Sequence, residues 1–190
     1  MSHFVTLANS KQNNSPKILY PVKKLILLFL FLPFLTMAQE APSLEFICEL
    51  RVKLDPAMVV GETPHGIRRI IPIIGGEVEG PLIQGEIVRG GSDWQVLRPD
   101  GVTELEAHYQ FKTDDGVFIY IKNTGLRVAS PEVATKMARG EKVDASEYYF
   151  RAVPKFEAPA GKYSFLNDAI FICTGERTPD AVKIRVWKVL

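Results

Sequence analysis

Asp93 and Gln95 stand two residues apart in a run, 93–98, that reads as a β-strand, so their side chains fall on the same face of it. A carboxylate and an amide that face a protein interior are costly unless something uses them. Two uses fit. In one, a buried carboxylate with a raised pKa works as a general base or acid while a tyrosine donates a hydrogen bond to developing negative charge. In the other, the carboxylate is a structural anion, satisfied by an arginine or by turn amides, that braces the fold. Arg68, Arg69, Arg98, Arg151 and Arg177 are its candidate partners.

The facing of these residues follows from a turn. Arg98-Pro99-Asp100-Gly101 suits a type I turn followed by a left-handed glycine, a three-residue hairpin loop that pairs Arg98 with Val102. Counting outward, Leu97 opposes Thr103, Gln95 opposes Leu105 and Asp93 opposes Ala107. On the second strand Leu105, Ala107, Tyr109 and Phe111 share one face, and Glu104, Glu106, His108, Gln110 and Lys112 share the solvated other. Opposed residues lie on the same side of a sheet, so Asp93 and Gln95 point inward with Tyr109. The similar turn Asp114-Asp115-Gly116 pairs Thr113 with Val117 and adds Ile119 and Ile121 to the interior; a loop one residue longer or shorter would bring Tyr120 in instead. Asp93 and Tyr109 are therefore the candidate catalytic pair. Gln95, Asn167 (in phase with Phe165 and Phe171), Tyr149, Arg151 and Arg68 are the candidate ligand contacts.

The elements that hold them are strands. Residues 44–54 alternate, with Leu44, Phe46, Cys48, Leu50, Val52 and Leu54 on one face. Further strand-like runs lie at 67–74, 78–88 (bent at Gly80-Pro81 and Gly85), 93–98, 103–113, 117–123, 147–156, 163–174 and 181–190. One short helix is expected at about 131–139, with Ser130 as N-cap, Pro131 in first position and Gly140 as stop. Eight or nine strands with one helix predict an all-β domain, a single antiparallel β-barrel of about eight strands over residues 39–190.

Ahead of that domain, Lys23-Lys24, the apolar run 25–35 and Thr36-Met37-Ala38 form the pattern of a signal peptide, residues 1–38, that directs the protein to the periplasm or outside the cell. The apolar run is too short to span a bilayer, so no membrane association is expected once it is cleaved. Residues 1–21 sit awkwardly before a complete signal, and translation starting at Val22, read from a GTG codon, would remove them. Loss of residues 1–38 takes four lysines and no acids, leaving 19 basic against 22 acidic side chains, net −3. That balance argues against a nucleic-acid partner. Cys48 and Cys173 each lie on the apolar phase of a strand, and in an oxidising compartment they either pair as a disulfide or stay as buried thiols.

Other signals are weak. Glu106, His108 and Gln110 share a strand face but lack the second histidine or cysteine of a metal site, so no metal is expected. His65 in Gly61-Glu62-Thr63-Pro64-His65-Gly66 reads as a surface loop residue, or as a rim residue over the pocket. No phosphate loop, dinucleotide fingerprint or nucleophile elbow is present, and no cofactor is expected. Apolar residues on both faces of 117–121 and 166–172 suggest cover by the helix or by a second subunit, so a homo-oligomer is an open expectation.

Taken in order, Leu44-Glu45-Phe46, Gly61-Glu62-Thr63-Pro64-His65-Gly66, Gly90-Gly91-Ser92-Asp93-Trp94-Gln95, Arg98-Pro99-Asp100-Gly101, Tyr148-Tyr149-Phe150-Arg151 and Thr174-Gly175-Glu176-Arg177 resemble the bacterial and fungal family called domain of unknown function 3237, also uncharacterised protein family 0311. The likeness runs over residues 43–190. It implies one antiparallel barrel akin to the allene oxide cyclase and calycin barrels, and implies no activity; it also implies proteins without a leader, from which the export signal here departs. Two functions follow from the residues: a barrel that binds a small, partly apolar organic molecule in its lumen, or a cofactor-independent isomerase, cyclase or hydrolase in which Asp93 moves a proton. A barrel with a filled core would leave Asp93 a purely structural role.

Overall fold

In the computed structural model, which describes residues 40–190, the chain runs through nine strands and one α-helix. The expected signal peptide and the start at Val22 lie outside the described residues. The strands are β1 (Leu44–Leu54), β2 (Met58–Thr63), β3 (Gly66–Glu79), β4 (Gly85–Leu97), β5 (Thr103–Thr113), β6 (Phe118–Ala129), β7 (Tyr148–Glu157), β8 (Phe171–Arg177) and β9 (Ala181–Val189), with α1 (Pro131–Ala138) between β6 and β7. All pairings are antiparallel. The order β1-β9-β8-β7-β6-β5-β4-β3 closes on itself because β1 also pairs with the second half of β3, from Glu49 opposite Glu79 to Leu54 opposite Ile73. This is a closed eight-stranded barrel. β2 continues the wall beyond β1, pairing with the first half of β3, and Asp55 donates to the Pro72 carbonyl at 3.0 Å around the bend between them.

β2 escapes a sequence reading because Met58, Val59 and Val60 are all exposed and a bulge at Val60 breaks its alternation. A second bulge, at Ile47, corrects the phase expected for β1: Leu44 and Phe46 are 49% and 40% exposed, while Ile47 is fully buried and Cys48, Leu50 and Val52 then hold the inward face. The run 163–174 is not one strand. Its first part is a 3-10 turn, Ser164–Leu166, that buries Tyr163 and Leu166 against the core, and β8 begins only at Phe171. Asp115 anchors this segment, accepting from Thr113 (2.6 Å), Lys162 (2.9 Å) and the Tyr163 hydroxyl (2.9 Å). These donors hold its carboxyl well below the usual range, Thr113 foremost.

Both predicted hairpins form with the expected register. Arg98 donates to Val102 O (2.9 Å), Gly101 takes the left-handed conformation, and Leu97 opposes Thr103. Thr113 likewise donates to Val117 O (2.9 Å), and Tyr109 opposes Ile121. α1 begins where its cap residues require: the Ser130 hydroxyl accepts from Val133 N, Pro131 opens the helix, and Val133 and Met137 pack down on the barrel. The interior is one apolar cluster in which Phe111, Ile119, Phe171 and Val186 are at most 1% exposed.

Candidate functional site

The connections after β4, β6 and β8 gather at one end of the barrel, so the last inward residues of those strands and the first of β3 and β5 ring its mouth. Below the mouth lies a cavity of about 50 Å³, lined by apolar side chains including Ile71, Ile73, Leu105 and Phe150 and by a few polar ones: Asp93, Gln95, Tyr109, Asn123, Arg127 and Arg177. It holds a few water-sized groups.

Asp93 is brought there by an irregularity in β4. Between Val88, opposite Gln110, and Ser92, opposite His108, three β4 residues face Tyr109 alone. Gly91 presses onto the Tyr109 backbone, where a Cβ would stand 2.8 Å from Tyr109 Cα. Pairing resumes at Ser92 and Asp93, lapses at Trp94 and Gln95, and resumes at Val96. In the lapse Glu106 N–H donates to Asp93 Oδ1 (3.1 Å), and the Trp94 carbonyl accepts from Arg68 Nη1 (3.0 Å) on the outside. Asp93 Oδ2 accepts from Gln95 Nε2 (2.5 Å), and Gln95 Oε1 accepts from Arg69 Nε (2.9 Å). Arg69 thereby fixes which way the Gln95 amide points.

Burial pushes the Asp93 carboxyl above its ordinary range, against the donations from Gln95 and Glu106 and the attraction of Arg127 and Arg69. Asp93 is half-buried and lines the cavity. The Tyr109 phenol is pushed up too, by burial first and then by Cys173, Cys48 and Asp93, so it is a neutral donor at physiological pH. Among the described residues its hydroxyl has no hydrogen-bond partner. A carboxylate with free lone pairs and an uncommitted phenol therefore face the same small, largely apolar space, the two parts of an acid–base site.

The sequence placed Asp93, Gln95 and Tyr109 correctly and misplaced four others. Arg68 is on the outer face, because Arg69, Ile71 and Ile73 hold the inward phase of β3. Tyr149 and Arg151 also point out: β7 buries Tyr148, Phe150 and Ala152, and Tyr149 opposes the exposed Val128. The Arg151 guanidinium lies 5.3 Å from the Tyr149 ring on that outer surface. Asn167 sits in the 158–170 connection, where its amide bridges Ala158 N and O at 2.9 Å each. Arg98 is engaged at the surface by Asp100 and Glu104. Glu106 and His108 are 3.1 Å apart on the outer face, with Lys122 and Tyr120 as further partners.

Reasoning from sequence passed over Asn123 and Arg127. The signal for both was at hand: extending the β5–β6 register past Ile121 puts 123, 125 and 127 inward, and Arg127 opposes Thr103. Asn123 lies 3.6 Å from Cys173 Sγ. Burial, and then Arg69 and Arg177, bring the Arg127 pKa down to about 10.

Cys48 and Cys173 are free thiols, and the register gives the reason. Both lie opposite Val186 on β9, so one strand separates them and their Cα atoms are about 10 Å apart, beyond the reach of a disulfide. Burial pushes the Cys48 thiol up to about 12 and the Cys173 thiol to about 11. Unfolded in guanidinium without reductant, the protein will expose two titratable thiols, against none when native; recovery of fewer than two would mean that the cysteines had joined.

Fold and site together define a closed antiparallel barrel with a carboxylate and a phenol in its lumen. The chain belongs to the family described as protein of unknown function (DUF3237), whose profile matches residues 42–189. A UPF0311 protein of Rhodopseudomonas palustris is 40% identical over 151 residues, 78% of this chain and 99% of its own, and its crystal structure superposes with a TM-score of 0.75 over 80% of this chain and 99% of that one. A crystal structure described as a beta-barrel like protein, from Acinetobacter baumannii, is 34% identical with a TM-score of 0.70, covering 80% of this chain and 98% of its own. A hydroalkoxylation enzyme of Penicillium herquei is 29% identical over 148 residues, 78% of this chain and 84% of that protein.

Proposed function

We propose that this chain is an exported, cofactor-independent enzyme of the isomerase or cyclase class that takes a small, partly apolar organic molecule into the barrel mouth and moves a proton with Asp93. The observation that carries the reading is the pairing of a cavity-facing carboxyl, held above its ordinary pKa by burial, with the uncommitted Tyr109 hydroxyl in one space. Asp93 takes a proton as the general base and returns it to a carbon of the same molecule, Tyr109 donates a hydrogen bond to the oxygen on which negative charge develops, and the apolar walls keep water from competing. Hydroalkoxylation, the addition of an O–H across a carbon–carbon double bond, is balanced by such a proton shuttle alone, and the likeness to the Penicillium herquei enzyme supports this reaction type. Export is supported by the leader pattern before Ala38 and by a family match that starts four residues beyond it.

The test compares native protein with Asp93→Asn in a metabolite extract followed by mass spectrometry. Time-dependent loss of a component with native protein only, and retention of that component by both proteins, is the expected result. Retention by the native protein without any turnover would make the barrel a binder, and equal turnover by Asp93→Asn would remove Asp93 from the chemistry.

A further inference from the structure

Arg69, Arg127 and Arg177 come from three different strands and meet at the mouth. Arg69 lies near the start of the inward face of β3, Arg127 near the end of that of β6, and Arg177 closes that of β8. Arg127 and Arg177 line the lumen cavity; all three line a cleft of about 100 Å³ beside Met137 of α1; Arg69 and Arg177 also line an outer recess of about 270 Å³. Among the described residues none of the three forms an ion pair. Arg69 spends only Nε, on Gln95; Arg127 reaches only Thr103 Oγ1, at 3.4 Å; the Arg177 side chain donates to no neighbour. Of the carboxylates nearby, Asp93 pairs with none of the three and takes its hydrogen bonds from Gln95 and Glu106 N–H, Asp180 is paired with Arg51, and Asp55 lines only the outer recess.

Three guanidiniums against one carboxylate leave a partly buried excess of positive charge, and the mutual repulsion is felt: Arg69 and Arg177 both help lower the Arg127 pKa. Such an arrangement is costly in an empty protein and is relieved by an anion. Guanidinium forks match planar oxyanions, which accept two parallel N–H bonds.

We propose that the mouth is an anion site in which Arg69, Arg127 and Arg177 hold the carboxylate, phenolate or enolate of a small organic acid, with its apolar part directed into the lumen toward Asp93. This names the substrate class and rests on the reading of the lumen as a substrate pocket. The lumen admits only a few heavy atoms, so only the tip of that apolar part enters it and the rest of the ligand lies in the cleft beside α1, with the arginines at the boundary between the two spaces.

Benzoate and its neutral isostere benzamide are the probes, titrated calorimetrically into the native protein at low ionic strength. Benzoate is expected to bind at least about tenfold more tightly than benzamide, and to weaken as salt is added. Arg127→Gln and, separately, Arg177→Gln should each weaken benzoate by about tenfold or more and leave benzamide unchanged. Asp93→Asn should keep or tighten benzoate binding, because it removes the opposing carboxylate. Equal affinity for the two probes, no benzoate binding, or arginine variants that bind benzoate like the native protein would each overturn the anion site. The probe comparison needs only native protein, so it stands even if an arginine variant fails to fold. Turnover retained in Asp93→Asn would overturn the catalytic reading alone and leave the anion site intact.

Discussion

Replacing Gly91 by alanine is expected to cost about 3 kcal/mol in stability, several times the cost of the same change at Gly101. A methyl group at Gly91 would collide with the His108 carbonyl oxygen and with Tyr109 Cβ, and would stand 2.8 Å from Tyr109 Cα. Two of those atoms are backbone in the neighbouring strand, so no rotamer change relieves the overlap and β4 has to lift away from β5. Gly101 is the control. An added Cβ there meets nothing within 4 Å, and the cost is the left-handed backbone alone, about 1 kcal/mol. Denaturant midpoints of the two variants measure the difference. The consequence reaches the site, because pairing with β5 resumes at Ser92 and Asp93 directly after the contact, and lifting that segment lengthens the 3.1 Å bond from Glu106 N–H that holds Asp93. Equal destabilisation in the two variants would show that close approach is not what position 91 requires.

Much of the barrel can be read from the chain because two turns declare their own type. A glycine at the left-handed position fixes loop length, loop length fixes register, and register fixes facing for a whole strand. That is how Asp93, Gln95 and Tyr109 emerge as inward residues from the chain alone. The same count carried further along β6 reaches Arg127. What the chain conceals is of two kinds. Bulges at Ile47, Val60 and in the Gly90-Gly91 region insert residues that no period-2 pattern announces. The other kind is β7, whose two phases both begin with tyrosine, so that only the residues that follow tell them apart. Tyr148 is inside with Phe150, Ala152 and Phe156, and Tyr149 is outside with Arg151, Lys155 and Glu157. Asn167 is concealed for a related reason: Phe165 and Phe171 sit at strand spacing, yet Phe165 belongs to a 3-10 turn and a short connection separates it from β8.

Neutralising Asp93 is expected to separate catalysis from stability. In Asp93→Asn the rate should fall by about two to four orders of magnitude, the range for loss of a general acid or base. Stability should change in a pH-dependent way whose sign is fixed by the carboxyl. The folded-state pKa of Asp93 lies above its value in the unfolded chain, about 3.9. Between those two values the native state binds more protons than the unfolded state, so the contribution of Asp93 to stability is fully present below the unfolded value and is lost as pH rises through the folded one. The native protein should therefore gain on Asp93→Asn as pH falls through this window, by at most about 1.4 kcal/mol per pH unit, and the difference should be flat on either side. Carboxyls held low by their donors, such as Asp115, Asp144 and Asp180, act in the opposite direction, but they are common to both proteins and cancel. A constant offset remains. Arg69 keeps the Gln95 amide turned so that its N–H faces residue 93, and the single oxygen of asparagine cannot serve both that group and Glu106 N–H, a loss of about 1 kcal/mol at every pH. Denaturation of both proteins across the acid range reads the slope and the offset separately. A pH-independent difference would mean that the carboxyl titrates as it does in the unfolded chain, and the lumen would then lack the proton carrier on which the proposed reaction depends.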